Sequence, residues 1–298
     1  MSKKMLPIFI LETLKYYSDQ QHPLLQRDII AYIDKNYNEK FERKAIASCI
    51  QELIDLGYDI AHDHGYYLDQ RVFDPTEISY LIDVILNSPT LTKKQAHEMI
   101  RKLCKEESVY RQRSWHKIHV LSRIPYSQNP QFMLNVEMIQ EAIEQNKKIS
   151  FDYLHYGLDK RLHKKRDRKY IVNPYELIIS MNKYYLVANY DKYENLSNYR
   201  IDKISNIEIL DEKRKPEPAP VEIPKYQLEH IYMFSGPSKN VKIKFKNSII
   251  DQIIDWFSTD CVIEPIDEET SCLYAKVNER ALYYWLKQYD EFAELITE

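Results

Sequence analysis

The sequence predicts a multidomain α+β protein, and three observations lead to that prediction. At 298 residues the chain exceeds the usual size of one domain, so we expect more than one core. Apolar residues recur at helical spacing up to Leu56, whereas alternation typical of strands dominates between Lys148 and Leu210. A proline-rich run at 216–220 is typical of a linker. The predicted domains are residues 1–70, 71–133, 134–212 and 225–298.

The first predicted domain contains three helices and a hairpin. Apolar residues at helical spacing predict helices before Asp19, over residues 25–37 and over residues 41–56. Gly57 stands where a C-terminal helix cap is expected. Residues 58–61 and 65–68 then predict a short hairpin with glycine at its turn.

This order of elements is typical of a winged helix-turn-helix, in which the third helix enters the DNA major groove and the hairpin contacts the flanking backbone. Arginine and glutamine can make paired hydrogen bonds to guanine and adenine edges. The candidate DNA-binding residues are Arg27, Arg43, Lys44, Ser48, Gln51, His62 and His64. The alternative is a tri-helical module that binds protein, which the net charge of −3 over residues 1–70 favours.

The second predicted domain is a helical connector. Asp74-Pro75-Thr76-Glu77 is a strong helix start, helical spacing resumes over residues 93–107, and 114–123 is a further apolar and basic stretch. Connectors of this kind commonly build a dimer. We therefore expect a homodimer that binds a palindromic operator, with Leu81, Ile85 and Leu103 at the dimer contact.

The third predicted domain is a small Sm- or SH3-like β-barrel. A helix over residues 135–146 precedes a strand at 148–153, and further short strands are predicted at 170–172, 177–179, 184–190, 197–200 and 207–210. A cationic run at 160–169 lies among them, and tyrosines stand on several strands. Clustered cations bind phosphates and aromatic rings stack on bases, so this pattern favours an anionic ligand with a planar ring.

The last predicted domain is α+β and acidic. A strand at 241–245, a helix at 249–257, a strand at 273–277 and a helix at 279–295 give a β-α-β-α order. Residues 247–298 hold three Lys/Arg against twelve Asp/Glu. This acidity argues against direct contact with nucleic acid in this domain.

Several function classes lack support in the sequence. No apolar run approaches the length of a membrane span, and the amino terminus does not resemble a signal peptide, so we expect a cytoplasmic protein without a membrane partner. The four cysteines are scattered, which argues against a metal site, and four glycines are too few for phosphate-cradling loops. No catalytic constellation is apparent either, so we expect neither an enzyme nor a cofactor.

Four segments in this order resemble the WYL-domain transcription regulators of bacteria: Ile-Ser-Phe-Asp-Tyr at 149–153, Asn-Pro-Tyr-Glu-Leu at 173–177, Tyr-Tyr-Leu at 184–186 and Tyr-Arg-Ile-Asp-Lys-Ile at 199–204. The resemblance covers nearly the whole chain. In chain order it implies a winged helix-turn-helix, a helical connector, a WYL barrel and the C-terminal extension domain often found after it. Tyr184 replaces the tryptophan that gives the family its name.

The resemblance implies a dimeric transcription regulator, most simply a repressor of stress, DNA-damage or phage-defence genes. Its barrel would bind single-stranded DNA or a nucleotide. The ligand-binding residues implied by the matching positions are Tyr153, Arg168, Tyr175, Tyr185 and Arg200, with Asp202 in a structural role.

Two alternatives remain open at these positions. Tyr175 and Tyr185 are also explained as core tyrosines with satisfied hydroxyls, and Arg200 as a partner of Asp202 alone. The alternative function is a nucleic-acid-binding accessory protein that regulates a partner enzyme rather than transcription.

Overall fold

The computed structural model describes residues 3–115, 126–218 and 221–296, which form two compact units. The first unit comprises Met1–Ser88 with Lys93–Pro125, and the second comprises Pro89–Thr92 with Tyr126–Glu298. None of the described helices is long and apolar enough to cross a membrane.

The first unit begins with the three predicted helices and the predicted hairpin. These elements are α1 (Leu6–Tyr17), α2 (Gln26–Tyr37), α3 (Arg43–Asp55), β1 (Ile60–His62) and β2 (Tyr66–Leu68). Their apolar faces meet in one core, with Ile10, Leu14, Ile29 and Ile46 at its centre. The predicted helix boundaries are confirmed to within a few residues.

Both glycines of this segment have a defined structural role. Gly57 has φ +95 and follows the last turn of α3, as the sequence predicts for a helix cap. At the hairpin turn the left-handed residue is His64, with φ 55. Gly65 is needed instead for space, because a Cβ there would lie 3.0 Å from the Leu24 carbonyl oxygen.

Three further helices follow among the described residues of the first unit: α4 (Pro75–Leu86), α5 (Lys93–Cys104) and α6 (Val109–Trp115). The Asp74 carboxylate accepts hydrogen bonds from the backbone of Thr76 and Glu77, so the predicted start of α4 is confirmed. Leu103 packs on the buried face of α4. The predicted stretch at 114–123 lies mostly outside the described residues.

The second unit begins with α7 (Phe132–Glu144) and a curled antiparallel sheet. Its strands are β3 (Lys147–Tyr156), β4 (Leu162–Lys164), β5 (Tyr170–Ser180), β6 (Lys183–Asn189), β7 (Ser197–Arg200) and β8 (Ile204–Lys213). The strand order is β4-β3-β5-β6-β7, and β8 pairs with β3. A one-turn 3-10 helix at Ile201–Lys203 joins β7 to β8.

The prediction of separate strands at 170–172 and 177–179 is wrong, because both belong to β5. Pro174 has no N–H to donate, and the register with β6 shifts between Pro174 and Glu176. The extra residue, Tyr175, turns into the core, where it is 2% exposed. The strand therefore continues across an irregularity that resembles a strand end in the sequence.

The remainder of the second unit is α8 (Ile223–Glu229), β9 (Ser238–Lys246), α9 (Ile250–Phe257), β10 (Val262–Pro265), β11 (Thr270–Asn278), α10 (Glu279–Gln288) and β12 (Ala293–Ile296). The predicted helix at 279–295 is wrong in its second half, since α10 ends at Gln288 and residues 293–296 pair with β9. The order is thus β-α-β-β-α-β rather than β-α-β-α. Both β10 and β12 have four residues, too few for a clear alternation.

Candidate functional site

A groove on the first unit brings together four of the predicted DNA-binding residues. It has a volume of about 500 Å³ and lies between the start of α2, the start of α3 and the β1–β2 hairpin. Arg27, Arg43, His62 and His64 line it, together with Leu25, Gln26, Ile30, Gly65 and Tyr66. The side chains of two arginines and two histidines therefore converge from three separate elements.

Hydrogen bonds fix the geometry of this groove. Arg43 Nε donates to Gln26 Oε1 at 2.7 Å, and Gln26 Nε2 donates to the Tyr66 hydroxyl at 3.3 Å. The backbones of Leu24 and Tyr66 exchange two hydrogen bonds of 2.7 and 2.8 Å, which attach the hairpin to the segment before α2. The first residue of α3 and the hairpin are thus both held at the start of α2.

The other three predicted residues do not line the groove. Lys44 is exposed on α3, whereas Ser48 and Gln51 point toward carboxylates of their own helix. Ser48 Oγ donates to Glu52 at 3.3 Å, and Gln51 Nε2 donates to Asp55 at 2.9 Å. Glu52 and Asp55 make the carboxyl-terminal half of α3 acidic, whereas Arg43 and Lys44 make its amino-terminal half basic.

In the second unit, Arg200 makes a bidentate ion pair with Asp202. Its Nε and Nη2 donate to the two carboxylate oxygens at 3.0 and 2.6 Å, and the Asp202 side chain is only 6% exposed. Burial disfavours the charged form of Arg200 and by itself would lower its pKa. The hydrogen bonds to Asp202 outweigh the effect of burial, so the pKa of the guanidinium is raised. The predicted structural role of Asp202 agrees with this geometry.

Two predicted tyrosines surround this pair. The Arg200 backbone N–H donates to the Tyr153 hydroxyl at 3.1 Å, and Tyr185 stands opposite Arg200 in the β6–β7 ladder. Burial raises the pKa of Tyr153 to about 12, so its hydroxyl stays protonated at neutral pH. Tyr153, Tyr185 and Arg200 therefore form one cluster at the end of β7.

Two asparagines that the sequence analysis did not select hold this corner of the sheet. Asn129 Nδ2 and Asn135 Nδ2 each donate to the Ile204 carbonyl at 2.6 Å, and Asn129 also donates to the Asp202 carbonyl at 3.1 Å. Both asparagines are buried. Their partners lie about seventy residues away in sequence, so no local pattern reveals the contact.

Further cations lie around Arg200. Burial lowers the pKa of Lys203, and the nearby positive charges of Arg200, Lys183 and Lys165 lower it further. The negative charge of Asp202 acts in the opposite direction and raises the pKa of Lys203. The cluster therefore has an excess of positive charge, which is the condition under which an anion binds favourably.

Tyr175 and Arg168 have different surroundings. The Tyr175 hydroxyl donates to Asn189 Oδ1 at 3.0 Å within the core, which matches the alternative of a core tyrosine with a satisfied hydroxyl. Arg168 is exposed, and its carbonyl accepts from Arg166 Nε at 3.2 Å. Within the cationic run it is Arg166 that reaches an aromatic ring, 3.4 Å above the centre of Tyr170.

Tyr170 belongs to an aromatic cluster that the sequence analysis did not assemble. The rings of Phe151, Tyr153, Tyr170 and Tyr199 lie 5.3 to 6.4 Å apart, mostly edge to face. Burial is the largest cause of the raised pKa of Tyr199. Tyr184, at the position of the family tryptophan, packs edge-on against Phe132 of α7 at 5.2 Å.

Comparison with known proteins identifies one segment of the chain. Residues 135–209 match the family described as WYL domain, a range that runs from α7 into β8 and contains all five candidate ligand residues. Among solved structures, proteasome accessory factor B/C (PafBC) of Arthrobacter aurescens is similar, with a TM-score of 0.31 and 13% identity. The match covers 100% of this chain and 46% of that protein, so this chain spans less than half of its length. No curated protein matches.

Proposed function

We propose that this protein is a DNA-binding transcriptional regulator, a repressor rather than an enzyme, whose WYL domain binds a nucleotide or a single-stranded nucleic acid. The observation that carries the proposal is the groove of the first unit. Arg27, Arg43, His62 and His64 come from α2, α3 and the hairpin and face one cavity. Backbone phosphates of duplex DNA are the ligands that two arginines with neighbouring histidine N–H donors fit best.

The charge distribution along α3 defines how the helix would contact DNA. Arg43 and Lys44 occupy its first turn, whereas Glu52 and Asp55 occupy its last turns. Phosphates would be repelled by the acidic end, so the amino-terminal half would enter the major groove, as in helix-turn-helix proteins generally. In that orientation the hairpin with His62 and His64 would lie beside the flanking backbone as a wing.

The WYL domain would hold the ligand at the end of β7. Arg200 and the neighbouring lysines supply positive charge, and Tyr153 supplies an aromatic ring and a hydroxyl. Tyr185 is 8% exposed and packs with Ile178 and Val187 in the core, so it would support Arg200 across the β6–β7 ladder. For this ligand to regulate DNA binding, it must favour one of two conformations of the protein. Control of stress or phage-defence genes is a further proposal that rests on the family resemblance alone.

The proposal is tested by selecting duplex fragments of genomic DNA with the full-length protein. We expect wild type to enrich a small set of fragments upstream of genes, and the double variant Arg43→Ala/Lys44→Ala to lose them. Lys93→Ala/Lys94→Ala removes the same number of positive charges from the first turn of α5, outside the residues that line the groove, and serves as the matched control. Equal enrichment by the double variant and the wild type would refute the assignment of α3.

A further inference from the structure

A chain of hydrogen bonds links α3, α2 and the hairpin within the groove of the first unit. Arg43 Nε donates to Gln26 Oε1 at 2.7 Å, and Gln26 Nε2 donates to the Tyr66 hydroxyl at 3.3 Å. Arg43 is the first residue of α3, Gln26 is the first residue of α2, and Tyr66 begins β2. All three side chains line the groove, so the first turn of α3 is joined to the hairpin through Gln26.

This chain of hydrogen bonds has a fixed far end and a fixed direction. The Tyr66 ring is partly buried against the core formed by α1, α2 and α3, and its backbone exchanges two hydrogen bonds with Leu24. An arginine Nε only donates hydrogen bonds, so the amide oxygen of Gln26 must face Arg43 and its NH2 group must face Tyr66. Gln26 therefore holds the Arg43 guanidinium in one orientation relative to the fold.

The second arginine of the groove, Arg27, is held differently. Its side chain is 82% exposed, and its Nε lies 3.6 Å from Oδ1 of the adjacent Asp28. That separation exceeds hydrogen-bond distance, so the contact restrains the Arg27 guanidinium only weakly. A loosely held cation suits a phosphate, which accepts hydrogen bonds from many directions, whereas a base edge must be met in one geometry.

We propose that Gln26 and Tyr66 are positioning residues, which aim the Arg43 guanidinium at a guanine in the major groove. The inference rests on the proposed function and adds the base that the first turn of α3 reads. Because Gln26 engages Nε, the two Nη groups form the free end of the guanidinium. Two parallel donors of this kind match the O6 and N7 acceptors of guanine, which is the commonest specific contact of arginine with DNA. The phosphate contacts of the groove then belong to Arg27 and the histidines.

The position of Arg43 in the helix agrees with contact to a base. In helix-turn-helix proteins, residues at the amino-terminal end of the second helix of the motif contact base edges. Ordering a long side chain on binding costs about two- to tenfold in affinity. Gln26 removes this cost for the complex with guanine, because that complex needs Arg43 in the held orientation. The preference for guanine should therefore depend on the acceptor at position 26 as well as on Arg43.

The test uses the full-length protein and a library of duplexes with a randomised central segment. Wild type should select guanine at one position, and selection by Arg43→Ala should lose that guanine. Fluorescence anisotropy then measures the affinities for the selected duplex and for the same duplex with adenine or 7-deazaguanine at that position. Wild type should prefer guanine to adenine by about five- to one-hundred-fold, and 7-deazaguanine, which lacks the N7 acceptor, should also bind more weakly. Arg43→Ala should bind the three duplexes equally.

The positioning role is measured as a change in the ratio of the guanine and adenine affinities. Gln26→Ala should lower this ratio by about two- to tenfold, because Arg43 is no longer held. Tyr66→Phe removes the hydroxyl that Gln26 reaches and should lower the ratio as well. Gln26→Glu keeps an oxygen acceptor for Arg43 Nε, so its negative charge should weaken both duplexes while the ratio is retained.

Gln145→Ala is the matched control, because Gln145 of the second unit also makes an exposed side-chain hydrogen bond, to Glu141. Its ratio should equal that of wild type. The inference is overturned if Gln26→Ala keeps the full guanine preference. It is equally overturned if Arg43→Ala weakens the guanine and adenine duplexes by the same factor, since a phosphate contact does not depend on the base.

Either of these outcomes leaves the proposed function intact, because the protein would still select duplex DNA. If wild type selects no duplex, the proposed function fails and this inference fails with it.

Discussion

The pair formed by Arg200 and Asp202 allows a structural role to be separated from a ligand-binding role. Arg200→Ala removes two charge-assisted hydrogen bonds from a carboxylate that is 6% exposed. Breaking a fully buried pair by removing one partner costs about 3–5 kcal/mol. Because the Arg200 side chain is 27% exposed, water can replace part of the lost interaction. We therefore expect unfolding to become easier by about 2 kcal/mol.

The double variant Arg200→Ala/Asp202→Asn removes the buried carboxylate that Arg200→Ala leaves without its partner. It should recover most of the lost stability, because a neutral amide is far easier to bury than an unpaired charge. If Arg200 also binds the ligand, the double variant should still bind it about ten- to one-hundred-fold more weakly, from one lost charge-assisted hydrogen bond.

Chemical denaturation and calorimetric titration with nucleotides and short single strands measure the two effects separately. Asp202→Asn alone is the control that retains the guanidinium. Recovery of both stability and ligand affinity in the double variant would show that Arg200 acts only on Asp202. The ligand assignment would then be refuted.

Three further predictions concern stability and assembly. Arg71→Ala should destabilise the first unit by about 3 kcal/mol in denaturant melts, since the buried guanidinium donates to three backbone carbonyls. Burial alone would raise the pKa of Asp152, but hydrogen bonds from Asn206 and Lys164 outweigh it and lower the pKa. Its stabilisation is thus present above pH 3.8 and lost as pH falls through the lowered pKa, and Asp152→Asn should flatten that part of the acid-unfolding curve. Sedimentation should show a dimer. Tyr80 and Val84 are 68% and 50% exposed on α4, the helix that also carries the predicted contact residues Leu81 and Ile85, so a Tyr80→Lys/Val84→Lys variant should weaken the dimer; unchanged sedimentation would contradict a dimer contact on α4.

The helices could be predicted from sequence because their signals are local. The periodic apolar residues of α2 predict residues 25–37, and the helix occupies Gln26–Tyr37. The carboxylate of Asp74 and the positive φ of Gly57 are likewise local features of a helix end. Such elements depend on side chains within a few residues of one another, so one sequence contains the information.

The errors arise where distant pairing decides the structure. β12 forms because Ala293–Ile296 pair with β9, about fifty residues earlier in the chain, and not because of its own pattern. β5 continues through Pro174 because β6 pairs with residues on both sides of the register shift, Asn173 and Pro174 before it and 176–180 after it. In each case the local sequence favours another interpretation, and hydrogen bonds with a neighbouring strand outweigh it.

The same distinction applies to the candidate sites. Arg43, His62 and His64 could be selected because the order of helices and hairpin places them on one module. The ring contact of Arg166 with Tyr170 could not, since the six other arginines and lysines of the run at 160–169 give the same signal in the sequence. Only the folded sheet determines which cation turns toward the ring.

The most direct test of a ligand-regulated DNA-binding protein measures both affinities in one solution. A duplex fragment selected by wild type is titrated with protein at increasing concentrations of the tightest nucleotide or single strand. We expect the duplex affinity to change saturably, and the ligand affinity to change by the same factor when duplex is present. The Arg200→Ala/Asp202→Asn variant should bind the duplex and lose this coupling. A duplex affinity that is independent of every ligand that binds would contradict the account.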